Sequence, residues 1–193
     1  MRALRFGKIS ISSALMLLFA WLWYQDTSGL FEQGILACGM HETAHYVALR
    51  SIGNDIKEFR LTVFGAKIIP SSPMTYWQEL IVAAAGPAVN LVLAFCLCRS
   101  GCTMSFVGVN LALAWFNLLP VGQLDGGRIF RCTLAMLVSD AVSLKIGWCV
   151  SFAFTSFFLV VGMYIAARFG NISLFLMCSW LLSGGAQEKT FQF

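Results

Sequence analysis

The sequence predicts an all-α polytopic membrane protein, with about six transmembrane helices and a small β-hairpin or strand region between the second and third. Two observations carry this. The chain is 59% hydrophobic and only 11% charged, with a mean hydropathy of +0.78, whereas soluble domains carry about 25% charged residues. Its apolar residues also fall into long runs separated by short polar connections, as lipid-spanning helices require. A soluble fold of 193 residues must cover its outer surface with polar groups, and this composition cannot supply them. The length is that of one domain.

The first apolar run extends from about Ile9 to Tyr24, behind Arg2, Arg5 and Lys8. It resembles a signal peptide but shows no small-residue cleavage site before Gln25-Asp26. With Trp21, Trp23 and Tyr24 as interfacial anchors it reads as an uncleaved first span. A second run covers about Leu30 to Leu49. The most polar stretch follows, about Ser51 to Glu79, and within it Phe59, Leu61 and Val63 alternate with Arg60 and Thr62. That period of two marks a half-buried strand, and Gly65 and Pro70 then mark a turn or hairpin. A third run spans about Leu80 to Leu97, interrupted by Gly86-Pro87 and carrying Asn90. A fourth, from about Met104 to Leu119, leads into Pro120 and the polar string Gly122 to Arg128. Runs at about Ile146 to Ala167 and Ile172 to Leu182 complete the set, the last being short for a span.

Charge decides the orientation. With six spans and both ends cytoplasmic, Arg99 and Arg168 lie outside and the other 11 of 13 basic residues lie inside, in accord with the positive-inside bias. The residues after His45 and the loop holding Asp125 then share the cytoplasmic side. No linker, repeat or further domain after the last span is expected. No basic stripe interleaved with aromatics is present, so nucleic acid is not an expected partner. The seven cysteines (Cys38, Cys96, Cys98, Cys102, Cys132, Cys149 and Cys178) lie mostly in apolar runs and read as small hydrophobes; the spacing of Cys96, Cys98 and Cys102 fits no standard ligand pattern.

The chemistry concentrates in the second run, at His41-Glu42-Thr43-Ala44-His45. Residues four apart share one helical face, about 6 Å apart along the axis, so both imidazoles can address one zinc ion. Glu42 can reach a water on that ion and act as general base. These are the only two histidines in the chain, and ionisable groups in an apolar helix are costly and usually functional. The plainer reading is a pair of core histidines hydrogen-bonded across helices, with Glu42 paired to a base. The nearest base along the helix, Arg50, is two turns from Glu42. Catalytic zinc takes three protein ligands and keeps one open position. No third histidine exists, so a carboxylate on the same side is expected. Asp125 fits best, since Gly126 and Gly127 let the backbone approach closely, although Asp-Gly also favours a plain solvated turn. Glu32 and Asp140 are weaker alternatives.

Three motifs now stand in order: His41 to His45, Gly86-Pro87 with Asn90, and Asn117-Leu118-Leu119-Pro120 leading to Leu124-Asp125-Gly126-Gly127-Arg128. Together they resemble the site-2 protease family of intramembrane zinc metalloproteases, over most of the chain. The first span followed directly by the motif helix most resembles the bacterial sporulation branch, without that branch's C-terminal regulatory domain. The resemblance implies Zn2+ held by His41, His45 and Asp125, with Glu42 as base. It also implies a substrate-contacting loop that begins at Asn117, includes Pro120 and Gln123, and uses Asn117 to bind substrate or stabilise the oxyanion. Gln123 stands where the sporulation branch usually has proline, which predicts a less rigid loop. Asn90 is expected either as a substrate contact or as an interhelical hydrogen-bond donor. Gly86-Pro87 is expected either to open a kink or to allow close helix packing.

On this resemblance residues 1–193 form a single membrane-embedded metalloprotease domain in the bacterial cytoplasmic membrane, with its site toward the cytoplasm. The implied reaction is hydrolysis of a peptide bond in or near a transmembrane segment of a membrane-associated substrate, a pro-sigma factor or anti-sigma factor being the class the resemblance names. A membrane helix hides its carbonyls in internal hydrogen bonds, so the substrate must unwind, and the Phe59–Val63 strand is expected to offer it an edge. The competing classes are an intramembrane metal-ion transporter and an inactive membrane scaffold. A transporter commonly shows repeats and several polar spans, and a scaffold has no need of an intact ligand set. Oligomeric state is left open.

Overall fold

The computed structural model describes residues 3–6, 9–62, 65–99 and 103–185. Arg2, Lys8, Val63 and Cys102 lie outside the described residues. The chain divides into two compact units, Met1–Trp115 and Phe116–Phe193.

The first unit opens with two short strands, β1 (Ala3–Phe6) and β2 (Ile9–Ser12), before helix α1 (Ser13–Gln25). This shortens the first expected span: four residues of the apolar run, Ile9–Ser12, are strand. The helix that remains has 13 residues, about 20 Å of rise against a hydrocarbon core of about 30 Å. Helix α2 (Leu30–Ser51) carries the histidine motif, and the strands β3 (Ile56–Thr62) and β4 (Gly65–Pro70) follow, as the alternation and turn residues predicted. The four strands form one sheet in the order β1-β2-β3-β4. Within it β2 runs parallel to β3, with Ile9 opposite Phe59 and Ile11 opposite Leu61, while β3 and β4 are antiparallel, with Phe59 opposite Ile68. Strand β3 is therefore paired on both sides. The edge expected to be free is occupied by β2 over Phe59–Leu61.

Helix α3 (Tyr76–Arg99) packs along α2. Ala48 and Leu49 of α2 and Val82 of α3 form a small core, covered by Ile52, Ile56, Ile68, Met74 and Ala85. This seats the hairpin on the end of the helix pair. Asn54 fastens the same corner: its Oδ1 accepts from the Ser72 amide at 3.3 Å and the Ser72 hydroxyl at 2.9 Å, and its Nδ2 donates to the Ser72 carbonyl at 2.9 Å. Arg50 forms an ion pair with Asp55. Before α2, Asp26 accepts from the amides of Ser28 at 2.9 Å and Phe31 at 2.7 Å. Helix α4 (Met104–Asn117) begins in this unit.

In the second unit the polar string from Gly122 was expected as a loop throughout. Its second half is instead the start of a further helix, α5 (Asp125–Leu137). Helices α6 (Asp140–Phe169) and α7 (Ser173–Gly185) follow and pack together. They approach closely at Gly162, where a Cβ would stand 2.8 Å from the Phe175 amide nitrogen. Val121, Leu124 and Leu181 form this unit's core.

Among the described residues two helices, α3 and α6, are long and apolar enough to cross a membrane. Only 11% of the most apolar window of α6 is buried. A helix of apolar composition so exposed is not a soluble core helix, and lipid is the solvent that suits it. Helix α2, with 22 residues, rises about 33 Å, long enough to span, but it is diluted by the polar residues it carries.

Candidate metal centre

Helix α2 presents His41 and His45 on one face, as the spacing predicted. Both are buried, at 3% and 7% exposure. Their Nε2 atoms stand 3.1 Å apart and the rings are nearly perpendicular, at 84°. Each ring is held from behind through Nδ1. His45 Nδ1 is 2.7 Å from the Val82 carbonyl, and His41 Nδ1 is 3.1 Å from Asn90 Oδ1. A peptide carbonyl only accepts, so His45 Nδ1 carries a proton, and in the neutral ring Nε2 is then a lone-pair donor.

Two such nitrogens facing each other at hydrogen-bond distance without a proton between them would repel. A cation between or beside them removes the conflict, and imidazole nitrogens suit zinc. The donor chemistry of the pair therefore fits a metal ion. Glu42 follows His41 on α2 and is half-buried.

Helix α3 lies against both imidazoles at Gly86. A Cβ there would stand 2.4 Å from His45 Nε2 and 2.7 Å from His41 Nε2. Of the two readings of Gly86-Pro87, close approach is the one these distances support. Asn90 is fully buried, and its Nδ2 donates to Asn110 Oδ1 at 3.2 Å. Both ends of its amide are engaged inside the protein, which makes Asn90 an interhelical partner of His41.

In the second unit Asp125 is the first residue of α5 and is 8% exposed. A carboxylate in the first helical turn is favoured by the helix dipole, and Arg128 one turn on approaches it to 3.6 Å. The glycines after it are obligatory. A Cβ at Gly126 would meet the Leu118 carbonyl oxygen at 2.2 Å, and one at Gly127 would meet that of Val121 at 2.1 Å. The turn from Asn117, the last residue of α4, through Pro120 is thus folded directly against the start of α5. It is also tied from outside: the Gly122 amide donates to Ser151 Oγ at 3.0 Å, and Gln123 Nε2 donates to the Leu181 carbonyl at 2.8 Å. The loop expected to be slack for want of a proline is pinned by the residue that replaces it.

Of the alternative third ligands, Glu32 is an exposed residue of the first turn of α2, about 13 Å along the axis from His41. Asp140 is exposed at the start of α6. Gly86 and Asn110 are the site residues that motif reasoning did not assign. Gly86 was singled out for a kink or for close helix packing, not for contact with the imidazoles, and a lone Asn in an apolar run gives no signal of its partner.

Comparison with known proteins agrees with this chemistry. Residues 101–161 match Peptidase family M50. A Synechocystis protein named as a zinc metalloprotease is 32% identical over 129 residues, covering 56% of this chain and 34% of its own length. Rip3 of Mycobacterium tuberculosis, also named as a zinc metalloprotease, is 33% identical over 122 residues, covering 55% and 31%. The chain thus spans about a third of the length of these curated relatives. Among solved structures, the site-2 protease from Methanocaldococcus jannaschii shares the fold, with a TM-score of 0.73 and 23% identity, over 100% of this chain and 96% of that one. The chain thus shares the fold of a site-2 protease and is similar over about half its length to zinc metalloproteases, in line with the resemblance drawn from its motifs.

Proposed function

We propose that this protein is a zinc metalloendopeptidase that hydrolyses a peptide bond in or near a transmembrane segment of a membrane-associated protein. The observation that carries the reading is the convergence of the two Nε2 atoms at 3.1 Å, each ring held by its other nitrogen. His41, His45 and Asp125 would hold the ion, giving the three protein ligands of a catalytic site. Support for Asp125 is its burial, its place at a helix start against two obligatory glycines, and the motif in which it stands. Zinc bound there would polarise the scissile carbonyl and acidify the attacking water.

Glu42 takes the proton of that water and delivers it to the leaving amine. Asn117, at the head of the pinned turn, contacts the substrate backbone or the developing oxyanion; Pro120 shapes that turn. Gln123 holds the loop through Leu181 rather than reading the substrate. The unwound substrate segment pairs with the outer edge of β4, the strand of the hairpin that pairs on one side only in the described sheet. The charge asymmetry supports six spans, both ends in the cytoplasm of a bacterial cell, and a site on that side of the cytoplasmic membrane. Pro-sigma and anti-sigma factors are the substrate class the family resemblance favours.

The deciding experiment compares purified wild type and Glu42→Gln. The variant is expected to bind zinc with wild-type stoichiometry and to lose hydrolysis of a membrane-segment reporter. Proteolysis retained by Glu42→Gln defeats the assignment. In cells, comparative membrane proteomics of the same pair should show the uncut substrate accumulating in the variant.

A further inference from the structure

The two imidazoles of the site are oriented by different means. His45 rests on the Val82 carbonyl, whose acceptor character is unconditional. His41 rests on the side-chain amide of Asn90, and an amide can present either its oxygen or its NH2. Rotated by half a turn, Asn90 would offer an N–H to His41. The ring would then have to accept at Nδ1 and carry its proton at Nε2, on the nitrogen that faces His45. The useful tautomer therefore depends on whatever holds Asn90.

Helix α4 supplies that restraint. Asn110 is fully buried, and its Nδ2 donates to the Phe106 carbonyl at 2.9 Å, one turn back. A carbonyl cannot donate, so the NH2 of Asn110 must point there and its oxygen must point the other way. That oxygen meets Asn90 Nδ2 at 3.2 Å, which turns Asn90 Oδ1 toward His41. We propose that Asn110 is a positioning residue for the metal centre: through Asn90 it fixes the tautomer of His41, with the proton on Nδ1 and the lone pair on Nε2. The polarity of one backbone carbonyl is passed through two amides to a ligand nitrogen. Partners behind metal-binding histidines fix ring tautomer and orientation in this way, and here the restraint lies two residues behind the ring. The inference rests on the reading above only in naming His41 Nε2 as a metal donor.

The test uses the full chain, labelled with 15N-histidine, in lipid nanodiscs at a pH where both rings are neutral, with metal removed by chelation. Because the chain has only two histidines, both tautomers can be read directly from the ring nitrogen shifts. In wild type both rings should be protonated at Nδ1. In Asn110→Leu, which is close to isosteric, His41 should divide between tautomers while His45 stays protonated at Nδ1. His45 is thus an internal control for folding. Asn110→Asp, which can still accept from Asn90, should restore the wild-type pattern. Asn110→Ser is too short to reach Asn90 and carries the same expectation as Leu if the latter fails to fold. Zinc affinity, measured by chelator competition, should fall about tenfold in Asn110→Leu and recover in Asn110→Asp. A His41 that remains wholly Nδ1-protonated in Asn110→Leu overturns the proposal. A tautomer shift in a protein that binds no zinc would sustain the relay and sink the protease reading instead.

Discussion

Gly86 meets His45 so closely that a single methyl at residue 86 would stand 2.4 Å from the imidazole Nε2. The same methyl would lie 2.7 Å from His41 Nε2, in the space where the two donor nitrogens converge. Gly86→Ala should therefore strike the metal centre before it strikes the fold. Zinc affinity is expected to drop by about tenfold or more, the scale seen when ligand orientation is disturbed, while helical content by circular dichroism stays at the wild-type level. Wild-type zinc affinity in this variant would show that α3 can withdraw from the imidazoles at little cost.

The glycines after Asp125 face backbone, which cannot swing aside as a side chain can. Gly127→Ala forces a Cβ against the Val121 carbonyl, and overpacking of this kind costs about 1–3 kcal/mol. The cost should appear as a lowered unfolding midpoint in detergent, with hydrolysis lost more completely than folded protein. Gly126→Ala, set against Leu118, should behave alike.

Gln123→Leu keeps the bulk of the side chain and removes its bond to the Leu181 carbonyl. A hydrogen bond of this kind contributes about 1 kcal/mol net. Hydrogen exchange should quicken over residues 118–124, and KM for the reporter should rise more than kcat falls. Unchanged exchange would mean that the Gly122–Ser151 tie alone holds the loop.

Asp26 gives the site's helix an acid-sensitive start. Its carboxyl is held below its ordinary value near 3.8, chiefly by the Ser28 hydroxyl and then by the Phe31 and Ser28 amides. A depressed carboxylate contributes stability that is fully present above the unfolded value and is lost as pH falls through the folded one. The first turn of α2 should therefore fray below about pH 4 in wild type. Asp26→Asn should show already at neutral pH the loss of amide protection, relative to intrinsic exchange, that wild type reaches only in acid.

Asn54 is the remaining corner to probe. Asn54 is buried but its partner Ser72 is exposed, so Asn54→Ala should cost about 1 kcal/mol for each bond it removes. Faster exchange over residues 71–75, with zinc affinity unchanged, is the expected signature.

Much of this was legible in the residues. The helical pair His41 and His45 needs only a period of 3.6, and the β3–β4 hairpin needs only alternation and turn chemistry. Ile9-Ser10-Ile11-Ser12 also alternates, but the apolar run that continues to Tyr24 absorbs it into a helix, so β1 and β2 emerge only with the structure. Helix α5 was hidden for a similar reason. Its first residues, Asp125-Gly126-Gly127, are poor helix formers, and what favours them there is contact with Leu118 and Val121, distant enough in sequence to leave no local trace. Asn90 stood out beside Gly86-Pro87, whereas Asn110 is a lone amide in an apolar run. Only the partners at each end separate a relay from a simple crosslink.

Helix α6, long and apolar enough to cross a membrane, is also a ruler. Its apolar stretch from Ile146 to Ala167 rises about 33 Å, near the thickness of an ordinary hydrocarbon core, and the rest of its 30 residues extend beyond it. A thinner bilayer can accommodate such a helix only by tilting it. Ser151 on α6 holds the Gly122 amide, and Leu181 on the adjoining α7 holds Gln123. In such a bilayer a tilt of this pair would be passed to the turn just before Asp125, making lipid thickness a mechanical load on the segment that leads into Asp125.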